Sequence, residues 1–317
     1  MKPLKIVPNN TTIDFVSKRF LAFIVSAIIV IGSIALTSTK GLNFGIDFTG
    51  GTLIEFSTDG DAPDLTDFRT DLNTLGLGAI SIQEFGSPKD LLVRLPAQGD
   101  DPAKQQEAID KVRALIVEKI ATEGVEVDFR RVEFVGPQVG GELIKAGAYA
   151  IIFSILGILI YIWFRFEWQF GIAAIIALVH DAVATIGFFA LTGMEFNLST
   201  VAAVLMIAGY SINDTVVVFD RVRENLRKFK KKLLGDILNL SINQMLARTL
   251  LTSVTTMLAL IALWTFGGEV IRGFVTALIF GILIGTYSSN FVAAPILLYI
   301  KLRPNQGQGT QAQSTPA

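Results

Sequence analysis

Long runs of apolar residues alternate with polar segments along this chain. Six of the runs are long enough to cross a bilayer as helices, which requires about 20 residues. The expected spans cover residues 19–37, 143–164, 168–192, 197–219, 249–266 and 272–300. Because the last run exceeds what a membrane needs, we expect it to tilt or to extend beyond the bilayer. The pattern predicts an α-helical polytopic membrane protein with six transmembrane helices.

The polar region between the first two spans, residues 38–140, shows a different periodicity. Alternating apolar and polar positions predict four strands, and two amphipathic segments predict helices. In chain order these are strand 52–56, helix 64–75, strand 79–85, strand 90–95, helix 101–121 and strand 125–135. This β-α-β-β-α-β order is that of a ferredoxin-like α+β domain, whose helices cover one sheet face and leave the other available.

Basic residues set the expected orientation of the spans. The segment between the fourth and fifth spans, 220–247, contains RVRENLRKFKKK, and the head 1–18 and residues 301–303 are also basic. The short loops 192–197 and 267–272 share a single basic residue. The positive-inside pattern therefore places both termini in the cytoplasm and the α+β domain outside. Binding of anionic lipid headgroups is a second role open to the basic segment.

Composition excludes several classes of function. The chain has 317 residues, of which 51% are hydrophobic, and a formal net charge of −1. This is too apolar for a soluble globular protein, and the charge favours no nucleic-acid partner. There are no cysteines, and we find no P-loop, nucleophile–base pair or metal-ligand cluster. We therefore expect neither enzymatic activity nor a bound cofactor.

The two ends of the chain need separate interpretation. The first apolar run follows Lys18 and Arg19 as a signal peptide would, but no small-residue cleavage site follows it. We therefore expect a retained first transmembrane helix. The tail 304–317 is rich in Gln, Gly, Thr and Pro, a composition that predicts disorder.

One residue in the fourth span, Asp214, is out of place in hydrocarbon. It precedes Asp220 by six positions, which on a helix puts it about 9 Å inside the membrane edge. An ionised carboxylate there costs at least ~2.5 kcal/mol, so it needs a partner, a water-filled cavity or a proton. Its neighbours Ser211 and Asn213 permit close helix packing and hydrogen bonding. Asp214 is either a structural clamp between helices or, as we favour, a protonatable site in an ion pathway.

A basic residue, Arg248, begins the fifth span at a depth that matches Asp214. It is either an interfacial side chain that reaches for water or a counter-charge that lowers the proton affinity of the carboxylate. Thr252 and Thr256 continue the same helix face at intervals of four residues, and their hydroxyls are candidates to hold water. We expect Arg248 to act with Asp214 and the two threonines to support them.

An adjacent polar pair, His180 and Asp181, interrupts the third span. A single histidine among apolar residues is more often a satisfied packing residue than a proton carrier. With an acid beside it, a proton relay is the alternative. Successive residues on a helix point about 100° apart, so we do not expect the two side chains to share a face.

Two glycine-rich stretches border the α+β domain and are expected to act as hinges or tight joints. Glycine permits positive φ and close backbone approach. The residues concerned are Gly45, Asp47, Gly50 and Gly51 in the first stretch and Gly136, Gly140 and Gly141 in the second. For Asp47, turn or cap chemistry is the simpler interpretation, and a role in moving the domain is the other.

Three motifs make the chain resemble the SecD/SecF family of bacterial protein-export membrane proteins, and within it the SecF branch. They are FGIDFTGG at 44–51, VGPQVGGEL at 135–143 and GYSINDTVVVFDRVREN at 209–225, and an NQxLxRT pattern at 243–249 agrees with them. The resemblance covers residues 1–303, which is everything but the tail.

The resemblance implies half of a twelve-helix machine of the resistance-nodulation-division superfamily in the bacterial inner membrane, with its large loop in the periplasm. SecD is the implied other half, the SecYEG channel, YajC and YidC are further partners, and an unfolded exported polypeptide is the substrate. The family uses the proton-motive force to complete export after ATP-driven entry. Asp214 and Arg248 match the family's carboxylate and basic residue.

Two other functions remain open from the sequence. One is a proton-driven exporter of small molecules or lipids from the same superfamily, although such proteins carry larger paired outer domains. The other is a non-transporting scaffold of the translocon, for which a buried acid is a costly feature.

Overall fold

The computed structural model describes residues 11–60, 64–99, 101–121, 125–300 and 302. Six helices in these ranges are long and apolar enough to cross a membrane. They are α1 (Arg19–Thr39), α5 (Pro137–Arg165), α6 (Trp168–Thr192), α7 (Leu198–Lys228), α8 (Leu234–Phe266) and α9 (Glu269–Ser288). A π-helical turn, Ser289–Ala293, and the short α10 (Ala294–Ile296) continue α9. The predicted polytopic helical fold is confirmed.

The α+β domain lies between α1 and α5 and is the expected ferredoxin-like unit. Its elements are β2 (Gly51–Thr58), α3 (Leu65–Asn73), β3 (Ser81–Phe85), β4 (Ser87–Leu95), α4 (Pro102–Ala121) and β5 (Val127–Val135). The sheet order is β3-β4-β2-β5, and every neighbouring pair is antiparallel. Asp64 caps α3 by accepting a hydrogen bond from the Thr66 N–H at 2.7 Å.

The two faces of this sheet have different surroundings. Ile54 and Phe56 of β2 are fully buried in a core that α3 and α4 cover. The alternate positions Leu53 and Glu55 point to the opposite face, as the two-residue period of a strand requires. Leu53 packs there with Leu92 and with Ile46 of the short helix α2 (Ile46–Thr49). The second face is therefore the one turned towards the membrane helices.

A short parallel pair joins the chain after α1 to the connection between α6 and α7. It consists of β1 (Asn43–Phe44) and β6 (Glu195–Phe196). The α7 helix begins directly afterwards with a capping box, in which Asn197 and Thr200 exchange side-chain and backbone hydrogen bonds. The N-terminal border of the α+β domain is thus anchored near the start of α7.

The segment 220–247, expected as a loop, is mostly helical. Only residues 229–233 separate α7 from α8. The basic composition marks where the chain is polar, but polar residues continue a helix as readily as apolar ones. The prediction that the fifth helix begins near residue 249 is wrong for the same reason. The tail 304–317 and the first ten residues of the head lie outside the described residues.

Candidate functional site

A layer of polar side chains divides the interior of the helix bundle. One apolar cluster contains Phe170 and Phe219 and the other contains Phe189 and Ile207. Between the corresponding turns of the helices lie buried polar residues from four elements. They are His180, Asp181, Ser211, Asp214, Thr249, Ser253, Ser288 and Ser289. Buried polar groups at membrane depth are costly, so this layer is the candidate functional site.

Asp181 is the centre of this polar layer. It is fully buried, and its Oδ2 accepts hydrogen bonds from Ser211 Oγ at 2.5 Å and Ser288 Oγ at 2.6 Å. Its Oδ1 lies 2.9 Å from His180 Nδ1. The carboxylate therefore ties α6, α7 and α9 together, and it is satisfied from both oxygens.

Asp214 on α7 has a much poorer environment. It is 7% exposed, and the hydrogen bond from Ser289 Oγ to its Oδ2 is 3.5 Å long, against about 2.7 Å for an ordinary O–H···O bond. No salt bridge to Asp214 is formed within the described residues. A carboxyl group held in this way is suited to carry a proton, because little stabilises its ionised form.

The π-helical turn explains why one helix reaches both aspartates. Ser288 donates to Asp181, and the next residue, Ser289, donates to Asp214. A π turn adds a residue to the helix and occurs frequently at functional sites. These serines were not among the residues predicted from the sequence, although the polar triplet Ser288-Ser289-Asn290 within an apolar span is a readable signal.

The expected contact between Arg248 and Asp214 is not formed in this structure. Arg248 is exposed and makes no salt bridge with the carboxylate. The next residue, Thr249, faces the interior instead, where its buried hydroxyl lies near Asp214 but meets no described residue at ordinary hydrogen-bond geometry. Successive residues point about 100° apart on a helix, so when Thr249 faces the interior its neighbour Arg248 faces outward.

The remaining supporting residues do not join the polar layer, since Asn213 is exposed and Thr252 and Thr256 are half-buried. Asn213 is exposed, so it does not join Ser211 in the polar layer. The Thr252 hydroxyl donates to the Arg248 carbonyl and the Thr256 hydroxyl to the Thr252 carbonyl, at 2.8 and 2.9 Å. These hydroxyls bond their own helix, and the continuous track towards Asp214 is not formed.

His180 and Asp181 hydrogen-bond each other although they are adjacent on α6. Both are buried, which differs from the expectation that they occupy separate faces. His180 Nε2 is buried and has no hydrogen-bond partner among the residues that the structure describes. The histidine is therefore not a fully satisfied packing residue.

The glycines at the domain borders are points of close packing. A Cβ on Gly140 would lie 2.8 Å from the Phe48 carbonyl oxygen, and one on Gly45 would overlap Glu195 Oε1. Gly51 has φ +124°, and a Cβ there would lie 2.5 Å from the Leu95 carbonyl oxygen. Gly50 also has positive φ, whereas Gly136 and Gly141 have open space around them. Three of these glycines permit tight contacts of the α+β domain border.

Asp47 caps a helix that is distant in sequence. Its Oδ2 accepts a hydrogen bond from the Leu198 N–H at 2.9 Å, at the start of α7. A carboxylate is favourable there because the N-terminus of a helix carries partial positive charge. The border of the α+β domain is thus bonded directly to the helix that carries Asp214.

A salt bridge makes a second link at the same place. Arg94 of β4 contacts Glu195 in the α6–α7 connection. Burial raises the pKa of Glu195 above its ordinary value, Arg94 opposes this, and nearby Asp47 adds to it. This pair is not predictable from the local sequence pattern, because its partners are 101 residues apart.

Comparisons with known proteins agree with this architecture. The family model "Protein export membrane protein SecD/SecF, C-terminal" matches residues 116–303, and the "SecD/SecF GG Motif" matches residues 35–62. The chain belongs to the SecD/SecF family. Relatives called protein translocase subunit SecF in Rickettsia felis and Rickettsia prowazekii are 47% and 46% identical to it over 295 residues. These matches cover 93% of this chain and 94% and 93% of the relatives.

Solved structures of SecDF share the fold of this SecD/SecF family member. The chain matches the crystal structure of SecDF from Thermus thermophilus, a translocon-associated membrane protein, with a TM-score of 0.82 and 33% identity. It matches SecDF in a super-membrane-facing form with a TM-score of 0.69. Each match covers 94% of this chain and 40% of the SecDF chain. The chain therefore spans less than half of the SecDF polypeptide.

Proposed function

We propose that this chain is a proton-driven subunit of a protein translocase, which promotes late, ATP-independent movement of exported polypeptides across the bacterial inner membrane. It would pair with a SecD subunit and act at the SecYEG channel, with YajC and YidC as further partners. The names of the relatives, a translocase subunit and a translocon-associated protein, support this function. The basic residues around 221–232 support an orientation with cytoplasmic termini and a periplasmic α+β domain.

The observation that carries the proposal is the contrast between the two buried aspartates. Asp181 has three polar contacts, so its role is to hold helices together. Asp214 lies in the same layer, where the hydrogen bond that Ser289 donates to it is 3.5 Å long and the Thr249 side chain is close by. A membrane protein retains such a poorly stabilised acid at a cost, which a proton site explains.

In the proposed cycle, this structure corresponds to protonated Asp214 with Arg248 disengaged. Loss of the proton leaves a charge in a medium of low dielectric constant, and the nearest remedy is attraction of Arg248 from the adjacent helix. Helices α7 and α8 would then repack between two states. One of the matched SecDF structures is called a super-membrane-facing form, and that name supports more than one arrangement of that protein.

Movement of α7 would be transmitted to the α+β domain through the N-terminus of α7. Asp47 caps α7, and Glu195 of the preceding connection holds Arg94 in the sheet. One proton crossing 100 mV supplies about 2.3 kcal/mol. This is enough to bias such a cycle and too little to unfold a substrate domain.

The deciding experiment uses inverted membrane vesicles that contain this protein with its SecD. ATP initiates translocation of a preprotein, the ATP is removed, and a proton gradient is then imposed. We expect Asp214→Asn to assemble normally and to lose gradient-driven completion, while Asn213→Asp serves as a neighbouring control for an altered charge. If Asp214→Asn completes translocation as wild type does, Asp214 is a structural clamp and the chain is a scaffold.

A further inference from the structure

A cavity of about 440 Å³ lies between the open face of the sheet and the membrane helices. Leu53, Glu55 and Leu92 line it from the α+β domain. Glu195 and Asn197 line it from the α6–α7 connection, and Val270, Ile271 and Phe274 line it from the beginning of α9. Its volume falls within the range of about 300–1,000 Å³ typical of ligand pockets.

Glu55 is the residue that gives this cavity a ligand preference. It is 8% exposed, and its side chain forms no hydrogen bond or salt bridge with any described residue, although its backbone is paired with β4 and β5. In the sheet register it lies opposite Arg131 on β5, but Arg131 is held by Glu133. A buried carboxylate without a partner is costly unless a cation reaches it.

The other charges in the cavity point in the same direction. Four acids, Asp47, Glu55, Glu133 and Glu195, line it together with one arginine, Arg131. Arg94 neutralises Glu195 from the side of β4. Once Arg131 is paired with Glu133 and Arg94 with Glu195, Glu55 and Asp47 remain as the excess negative charge of the cavity. Asp47 already accepts a hydrogen bond from the Leu198 N–H.

The apolar part of the lining distinguishes between kinds of cation. No group of three or more His, Cys, Asp or Glu suitable for a metal ion occurs among the described residues. The aliphatic and aromatic walls instead suit the methylene stem of a lysine or arginine, whose charged end would meet Glu55. A cationic side chain on an extended polypeptide satisfies both halves of the lining.

We propose that this cavity binds a lysine or arginine side chain of the exported polypeptide, with Glu55 as the carboxylate that recognises it. This inference rests on the proposed function, because it names the contact that the translocase makes with its substrate. The cavity lies between the α+β domain and the helices, so their relative movement would open or close it around the bound side chain. A cation held there would resist backward sliding of the chain.

The test crosslinks a stalled translocation intermediate in the vesicles with SecD present. The protein has no cysteine, so Val270→Cys in the cavity and Val117→Cys on α4 give a matched pair of exposed reporter sites. The substrate carries one cysteine beside either a lysine block or a glutamine block. A bismaleimide linker then reports proximity.

We expect the lysine substrate to crosslink to Val270→Cys about tenfold more than the glutamine substrate, because a charge-assisted hydrogen bond is lost in the latter. Glu55→Gln, which keeps the side-chain shape, should remove that difference, and Val117→Cys should show none. The comparison of the two substrates is made with Glu55 unchanged. It therefore remains decisive even if Glu55→Gln assembles poorly.

Equal crosslinking of the lysine and glutamine substrates would overturn the inference. Loss of the lysine preference on adding Mg²⁺ at constant ionic strength would also overturn it, because that result would indicate a site for inorganic cations. Gradient-driven completion is measured in the same vesicles. If gradient-driven completion depends on Asp214 but crosslinking of the lysine substrate does not depend on Glu55, only this inference fails. If completion is independent of Asp214, the proposed function fails first.

Discussion

Two buried aspartates on adjacent helices differ in how well their oxygens are satisfied. Asp181 accepts short hydrogen bonds from serines on two other helices, whereas the hydrogen bond from Ser289 to Asp214 is 3.5 Å long. The same residue type therefore serves as a structural connection in one place and as a candidate proton carrier in the other. Their responses to neutralisation should differ accordingly.

Asp181→Asn should lower the free energy of unfolding by about 1.5–3 kcal/mol, because hydrogen bonds to a charged acceptor are weakened or inverted. Asp214→Asn should change it by less than about 1 kcal/mol, since few bonds are lost. Thermal unfolding of both variants in detergent, with Ser288→Ala as the one-bond control, measures this difference. A larger loss for Asp214→Asn would reverse the assignment of roles.

Glu195 should show an unusual dependence of stability on pH. Burial raises its pKa in the folded protein above the ordinary 4.5. Its contribution to stability is therefore fully present below the ordinary pKa and is lost as pH rises through the raised value. Melting temperatures of wild type and Glu195→Gln between about pH 4 and 8 test this.

The wild-type melting temperature, taken relative to Glu195→Gln, should fall as pH rises. An ordinary surface glutamate in a salt bridge would give the opposite slope, since its pKa is lowered. That opposite slope would show that Arg94 outweighs burial at this site.

At the level of elements, small residues decide how closely the helices approach. A Cβ on Gly187 of α6 would overlap the Ser33 side chain and lie 2.6 Å from its Cα on α1. The contact needs two small residues because the backbones themselves are adjacent. A Cβ on Gly157 of α5 would have none of the neighbouring described atoms within 4 Å.

Gly187→Ala should therefore destabilise the protein by about 1–3 kcal/mol through overpacking between α1 and α6. Gly157→Ala should be neutral or slightly stabilising, because alanine has the higher helix propensity. Thermal unfolding compares the two at equal composition. Equal losses would mean that propensity or membrane insertion, and not the α1–α6 contact, determines the effect.

At the scale of the whole molecule, one helix, α7, connects the polar layer of the membrane helices to the α+β domain. The α7 helix carries Asp214 in the membrane layer and begins at Leu198, whose N–H bonds to Asp47. The Arg94–Glu195 pair connects the sheet to the same region. Coupling between proton and polypeptide in the proposed cycle requires these contacts to change.

A reversible crosslink tests that requirement. In the cysteine-free chain, Arg94→Cys with Glu195→Cys joined by a cleavable bismaleimide should block gradient-driven completion, and cleavage should restore it. The control joins Lys119→Cys to Asp71→Cys, a salt-bridged pair within the α+β domain, and should leave completion intact. Unchanged completion with the first crosslink in place would mean that the domain does not move against the helices at this point.

The amino-acid sequence by itself determined the number of membrane helices and the order of elements in the α+β domain. These depend on local periodicity, such as the alternation in TLIEF at 52–56, and on apolar run length, so neighbours in the chain suffice to encode them. The buried acid of α7 was readable for the same reason, because a charge within an apolar run contrasts with its own surroundings.

Only the tertiary structure decided which side chains meet. Thr249 and not Arg248 faces the interior, since a single residue turns a helix by about 100° and packing selects the face. The serines that contact the two aspartates lie where α9 passes into a π turn, and the Arg94–Glu195 link joins β4 to the α6–α7 connection, far apart in the chain. Contacts of this kind arise from three-dimensional packing between distant segments, which no local pattern of residues records.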